Sequence, residues 1–152
     1  MGQLITYFTF NGNCREAMDF YRQCLGGELH FQTLGESPKT ETLPEYMKAY
    51  IVQASLKKDN LVLMGTDMVD EKLIHGNSVS VLLDCIDEGQ IRTYYQNLEV
   101  GGKATHPIKK SHWGDLYGEL TDKYGNHWLF HCKGSHQSKT KENGEYKIQD
   151  GR

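Results

Sequence analysis

The chain has 152 residues, 38% hydrophobic and 24% charged, with a formal net charge of −3. That length suits one domain of ordinary size, able to bury a core without disulfide or metal staples and too short for two independent enzyme domains. The acidic balance argues against a nucleic-acid binder, which carries a basic stripe, and no run of about 18 apolar residues offers a membrane span.

Lys133 to Arg152 holds five Lys/Arg against three Asp/Glu, so residues 1–132 hold 12 against 17, a net −5. Met1-Gly2-Gln3-Leu4-Ile5-Thr6 lacks a basic n-region and soon becomes a patterned strand, so no secretory signal is expected. The same residues fit the loose myristoylation pattern, which reads as chance without a polybasic patch. Cys14, Cys24, Cys85 and Cys132 show no Cys-x-x-Cys spacing and no zinc-finger histidine. They read as reduced thiols of a cytoplasmic protein.

In chain order, Leu4–Phe10 alternates as a strand and ends at Asn11-Gly12-Asn13. Ala17, Met18, Phe20, Tyr21, Cys24 and Leu25 recur at helical spacing, an apolar stripe for packing on a sheet. Asn13 with Glu16 three residues on suggests a capping-box variant, and Gly26-Gly27 stops the helix. Glu28–Leu34 reads as a strand and Gly35–Lys48 as a long polar loop, long enough to raise the question of a functional role. Tyr50–Leu56 and Leu61–Gly65 form a hairpin.

The second half repeats the pattern. Ser78–Cys85 reads as a strand with Val79, Val81 and Leu83 on one face. Asp87 with Gln90 caps a helix striped by Ile91, Tyr94, Tyr95 and Leu98, which Gly101-Gly102 stops. Lys103–Lys109 is a strand, Ser111–Asp115 a loop, and Leu116–Thr121 with His127–Cys132 a hairpin. Phe20-Tyr21 with Gly26-Gly27 in one half echoes Tyr94-Tyr95 with Gly101-Gly102 in the other. Two tandem βαβββ modules, about 4–67 and 77–133 within a single domain 1–133, is the economical reading. Each unit alone exposes one sheet face, so the pair is expected to bury something between them. Residues 134–152 are polar and aperiodic and read as a flexible or loosely docked tail.

Tyr7-Phe8-Thr9-Phe10-Asn11-Gly12-Asn13-Cys14-Arg15-Glu16-Ala17, then Phe20-Tyr21 and Gly26-Gly27-Glu28, resembles the opening of PhnB-like proteins. Trp113-Gly114, then Tyr117 through Gly125 and Trp128, resembles that group's second signature. The group belongs to the glyoxalase/bleomycin-resistance (vicinal oxygen chelate) superfamily, and the likeness covers about residues 4–132. It implies an α+β fold of two βαβββ modules, each curling an incomplete barrel around a cavity, and commonly a homodimer. Some members carry labels suggesting a ubiquinone-pathway methyltransferase; no glycine-rich nucleotide turn between a strand and a helix supports that here.

The resemblance also implies a divalent metal held by His, Gln or Glu from the first and last strands of each module. Phe8 and Phe10 share the parity that packs on the helix, so Ile5, Tyr7 and Thr9 face the cavity; Ser78, Ser80 and Leu82 do so in the second module, with His127, Leu129 and His131 on the last strand. The positions matching the superfamily's ligands are then Ile5, Leu63 or Met64, Ser78 and Leu129. None suits such a cation, so no metal and no other cofactor is expected.

The candidate ligand-binding residues are Tyr7, Gln53, Ser80, Trp113, Glu119 and His131. Tyr7 offers a hydroxyl inside an apolar cavity, Gln53 alternates with Ile51 and Ser55, and the resemblance implies that Trp113 stands by the cavity mouth with a stacking face, against the blander reading of a ring covering the core edge. Glu119 could act as a base if desolvated, against the blander reading of a solvated strand face. His131 stands near a strand end, and His127, four residues away, lies about 13 Å off and cannot share an ion with it from one strand. No nucleophile elbow, P-loop or HExxH motif appears, so catalytic residues stay unassigned. The leading expectation is a metal-free, dimeric small-molecule binding protein, with drug sequestration one physiology open to it. The alternatives are a divalent-metal lyase, isomerase or thiol transferase of the glyoxalase type, resting on fold resemblance alone, and an interaction module acting through its surface and basic tail.

Overall fold

The structure, a computed structural model, describes residues 2–134; Met1 of the myristoylation pattern, and the polar tail from residue 135 on, lie outside the described residues. The chain divides into two compact units, described separately, at His75 and Gly76.

The first unit runs β1 (Thr6–Thr9), α1 (Cys14–Leu25), β2 (Glu28–Thr33), α2 (Glu45–Lys48), β3 (Ile51–Lys58) and β4 (Leu61–Thr66). Its sheet has the order β1-β4-β3-β2, with β1 parallel to β4 and the other pairs antiparallel. Alternation decides what the sheet buries. Leu63, Ala54 and Leu56 lie under α1, whose stripe of Ala17, Met18, Tyr21, Cys24 and Leu25 is buried. Fully burying a side chain such as Met18 or Leu25 contributes about 1.5–3 kcal/mol. Gly65 marks the close approach of helix and sheet: a Cβ there would lie 3.1–3.2 Å from Phe10, Cys14 and Met18 side-chain atoms.

The second unit repeats the order with β5 (Val81–Cys85), α3 (Glu88–Glu99), β6 (Lys103–Lys110), β7 (Leu116–Thr121) and β8 (His127–Cys132). Its sheet runs β5-β8-β7-β6, again with one parallel pair, β5 with β8. Ile91, Tyr95 and Leu98 of α3 pack with Leu116, Leu120, Trp128 and Phe130. The Tyr95 and Phe130 rings meet edge to face at 5.0 Å, the arrangement their quadrupoles favour. The repeat legible in the sequence is thus the repeat in the fold, and both sheets are open, not closed into barrels. Edge strand β6 carries Lys103, Lys109, Lys110 and Pro107 and two register irregularities, devices that discourage edge pairing.

Three local expectations need correction. Asn13 makes no side-chain cap on α1; Asp67, which follows β4, does that work by accepting from the Cys14 N–H at 2.9 Å. The expected strand 78–85 begins only at Val81, because β8 starts at His127 and leaves residues 78 and 79 without a neighbour; Val79 is 80% exposed. The expected loop 35–48 holds a 3-10 turn at Leu34–Glu36 and the single-turn α2, tied by Leu34 N–H to the Tyr50 carbonyl at 2.8 Å. The cap of α3 is as expected: Asp87 accepts from the Gln90 N–H at 2.8 Å while Gln90 Oε1 accepts from the Ile86 N–H at 3.0 Å.

Candidate functional site

Each sheet turns one face to its helix and the other away, and of the candidate residues Tyr7, Gln53, Glu119 and His131 lie on the second face. In the first unit, register places Tyr7 beside Met64, Met64 beside Ser55 and Ser55 beside His30, one row across four strands. Directly paired residues share a face, so Tyr7 and Gln53, two residues from Ser55, lie on the face opposite α1. Tyr7 is 52% exposed, and Gln53 is exposed as well.

In the second unit two rows cross the open face. Leu82, Leu129, Glu119 and His106 form one; Asp84, His131, Tyr117 and Lys109 form the other. His131 lies between two carboxylates, with Nδ1 2.8 Å from Asp84 Oδ1 and Nε2 3.1 Å from Asp115 Oδ2. Asp115 is nearly buried, and its other oxygen accepts from the Gly134 N–H at 2.7 Å. Beside them His106 Nδ1 lies 3.0 Å from Glu119 Oε2, and the Tyr117 hydroxyl bonds to the same carboxylate. His106 owes its place to α3. The Tyr95 hydroxyl reaches the His106 carbonyl at 3.1 Å and the Glu119 carbonyl at 2.9 Å, where β6 departs from regular register on both sides of His106.

Burial opposes charge on His131, but hydrogen bonds to Asp84 and Asp115, and then their charges, outweigh it and raise its pKa. Burial, then the Glu119 charge and hydrogen bond, push the Tyr117 phenol up. A raised histidine pKa means the imidazolium stabilises the folded state fully below the ordinary value of about 6.5 and progressively less as pH rises through the raised one. The stability difference between the wild type and His131→Asn, followed by urea unfolding from pH 5 to 9, is therefore expected to shrink as pH climbs. A difference constant across that range would contradict the clamp.

Glu119 and His131 thus share one face. Ser80 precedes β5 and is exposed. Trp113 sits half-buried in the turn between β6 and β7, its ring edge-on to His112 at 6.2 Å. In the same turn the buried hydroxyl of Ser111 has no hydrogen-bond partner, a group that ordinarily demands one. Asp84, Asp115, Tyr117, His106 and Ser111 were not anticipated. Asp84 shares the parity of Leu82 and was within reach of the alternation; the others depend on cross-strand register and a loop path that spacing does not encode. A separate solvent-open hollow of about 510 Å³ lies on the α1 side, where the Arg15 guanidinium sits 4.6 Å above the Phe31 ring.

All four cysteines are buried and none is in a disulfide. Burial, then the Asp67 charge, pushes the Cys14 thiol up to about 12, and burial, then the neighbouring Cys132, pushes Cys85 up to about 11. Neither is a nucleophile at neutral pH. No helix among the described residues is long and apolar enough to cross a membrane.

Two open mixed sheets of identical order, each backed by one long helix, are the architecture of glyoxalase/bleomycin-resistance proteins. A glyoxalase/bleomycin resistance protein from Albidiferax ferrireducens T118 superposes with a TM-score of 0.58 at 13% identity, over 85% of this chain and 96% of that one; at that identity the fold alone is shared. Protein PA1353 from Pseudomonas aeruginosa superposes with a TM-score of 0.76 at 29% identity, over 88% and 98%. The PhnB protein from Bacillus cereus gives 0.67 at 20%, over 86% and 99%. In sequence, Protein YjdN of Escherichia coli (strain K12) is 27% identical over 135 residues, 83% of this chain and 92% of that protein. The family model described as 3-demethylubiquinone-9 3-methyltransferase matches residues 2–130, and the chain belongs to that family, the PhnB-like group.

The family's description and the fold's usual chemistry each imply a group whose fit can be tested. An adenosyl cofactor needs an open, glycine-rich helix N-terminus or an equivalent cradle. Here the start of α1 is taken by the Asp67 carboxylate and that of α3 by the Asp87 carboxylate, both repelling an anionic head. The positions that the sequence resemblance assigns to divalent-metal ligands hold Ile5, Leu63 or Met64, Ser78 and Leu129, with Leu63 buried at 3% exposure. Those side chains do not fit a hard cation. Among the described residues no three His, Cys, Asp or Glu side chains converge on one point. Neither group fits, and no step is derived through either.

Proposed function

We propose that this PhnB-like chain binds a modest apolar or aromatic small molecule without a catalytic metal, acting as a cytoplasmic homodimer. The observation that carries this reading is the open face of the second sheet. Ionisable groups there are tied pairwise, His131 to Asp84 and Asp115 and His106 to Glu119, around the apolar Leu82 and Leu129 paired between them. An apolar patch with a few fixed polar groups is the usual composition of a ligand site. Trp113, in the turn between β6 and β7, offers an aromatic ring, and Tyr7 and Gln53 offer polar groups on the first sheet.

A thermal-shift screen of small aromatic and aliphatic compounds tests this. A true ligand at a hundred times its Kd stabilises by about 2.7 kcal/mol. The expected result is a compound whose stabilisation of the wild type is lost in His131→Asn or in Tyr7→Phe with Gln53→Ala. Stabilisation untouched by all these substitutions would place the site elsewhere, and a silent screen at millimolar concentrations would leave the binding reading unsupported.

A further inference from the structure

We propose that Cys85 and Cys132 form a redox-responsive pair, two thiols that a peroxide converts into a disulfide joining β5 to β8. Each is the last residue of its strand, and the parallel register sets them directly opposite one another. Neighbouring strands run about 4.7–4.9 Å apart, inside the Cα separation of about 4.4–6.8 Å that disulfides span. By strand alternation the two side chains share the face of Phe130 and Trp128, and both are buried. Each thiol now turns to a carbonyl, Cys85 Sγ to that of Leu83 at 3.7 Å and Cys132 Sγ to that of Lys133 at 3.8 Å. A thiol is a weak donor, so little is lost when either rotates toward the other. Cys14 and Cys24 stand ten positions apart on α1, about 15 Å along its axis, out of bridging range.

The peroxide closes the balance. One thiolate attacks a peroxide oxygen, the O–O bond breaks and hydroxide leaves, giving a sulfenic acid. The opposite sulfur then attacks the oxidised one; an S–S bond forms, the S–O bond breaks, and the second oxygen leaves as water. The two sulfurs give up two electrons to the peroxide, and the two thiol protons end in two waters. The reaction is slow at neutral pH. Burial, then the charges of Cys132, Asp84 and Asp87, push the Cys85 thiol up to about 11. Burial, then Asp87, Asp84, Asp115 and Glu88, raise that of Cys132. Below those values the thiolate fraction, and with it the rate, rises about tenfold per pH unit. The bridge lies back to back with the Asp84–His131 pair one position earlier, so it locks the β5–β8 register on which that contact depends.

The test uses the full chain, reduced, treated with hydrogen peroxide while folded, and mapped with trypsin without reduction. Peptides 73–92 and 124–133 hold one cysteine each, Cys85 and Cys132. The expected product joins these two, is lighter than their sum by two hydrogens, separates on reduction, and forms faster from pH 7 to pH 9. The oxidised chain should melt several degrees higher, because the bridge closes a long stretch of chain, a shift absent in Cys85→Ala and in Cys132→Ala. In urea the unfolded chain should give a mixture led by Cys14–Cys24, the shortest loop. The same mixture from the folded chain would overturn the proposal. So would a folded chain whose oxidised cysteines occur only as sulfinic acids or in links between chains, or a bridged chain that melts lower than the reduced one.

Discussion

Asp67→Ala is expected to lower the unfolding free energy by about 3 kcal/mol, the summed penalty of two orphaned buried donors at about 1–3 kcal/mol each. The Asp67 side chain is 5% exposed by residue surface and accepts from the Cys14 N–H and the Ile51 N–H, both at 2.9 Å. One carboxylate thus pins the first turn of α1 to the first residue of β3. Removing it leaves both buried N–H groups, of Cys14 and Ile51, without the acceptor they have. For a domain of this size the loss corresponds to roughly 10 °C in Tm, readable by calorimetry or by a urea midpoint. A loss under about 0.5 kcal/mol would show that water replaces the carboxylate, and that the helix start is not pinned as described.

The second unit has its own pin, and its removal should be at least as damaging. Asp122, 3% exposed, accepts from the Trp128 Nε1–H at 2.8 Å and from the backbone N–H groups of Tyr124 and Asn126 at 2.8 and 3.0 Å. It closes the β7–β8 turn and satisfies the one polar atom of a fully buried tryptophan. Asp122→Ala is expected to destabilise by about 3–4 kcal/mol, since three donors lose their acceptor, two of them close enough to the turn to recover water. Asp122→Asn, which keeps an acceptor oxygen, should recover part of that loss. Equal losses for both variants would mean that the charge, not the acceptor, holds the turn.

These carboxylates also show where reading residues in order stops. The tandem pattern was legible because it rests on periodicity: Ala17, Met18, Tyr21, Cys24 and Leu25 at helical spacing, and Trp128 and Phe130 alternating with Leu129 and His131. The Asp87–Gln90 cap was legible because both partners lie within four residues. The cap of α1 was not, because its acceptor comes from 53 positions away, and Asn13 looked adequate. The candidate site divides in the same way. The faces of Tyr7 and His131 followed from strand parity. The clamp on His131 did not, because Asp115 belongs to a loop and Asp84 reaches His131 only through the β5–β8 register. The early start expected for β5 failed because pairing, not composition, decides where a strand begins.

The function proposed for this member of the family depends on the side chains at the positions that the sequence resemblance assigns to metal ligands: Ile5, Leu63 or Met64, Ser78 and Leu129. Apolar and hydroxyl groups there leave the scaffold without the donors that vicinal-oxygen chemistry uses. The carboxylates and histidines on the open face of the second sheet are committed to one another, His131 to Asp84 and Asp115 and His106 to Glu119. The most direct measurement is the metal content of tag-free protein purified without chelator, by elemental analysis, with a thermal-shift series of Ni, Zn, Mn and Fe beside it. The account predicts far less than one metal per chain and no stabilisation by any of the four. About one tightly bound metal per chain, released only with loss of stability, would contradict it and make a glyoxalase-type metalloenzyme the better reading.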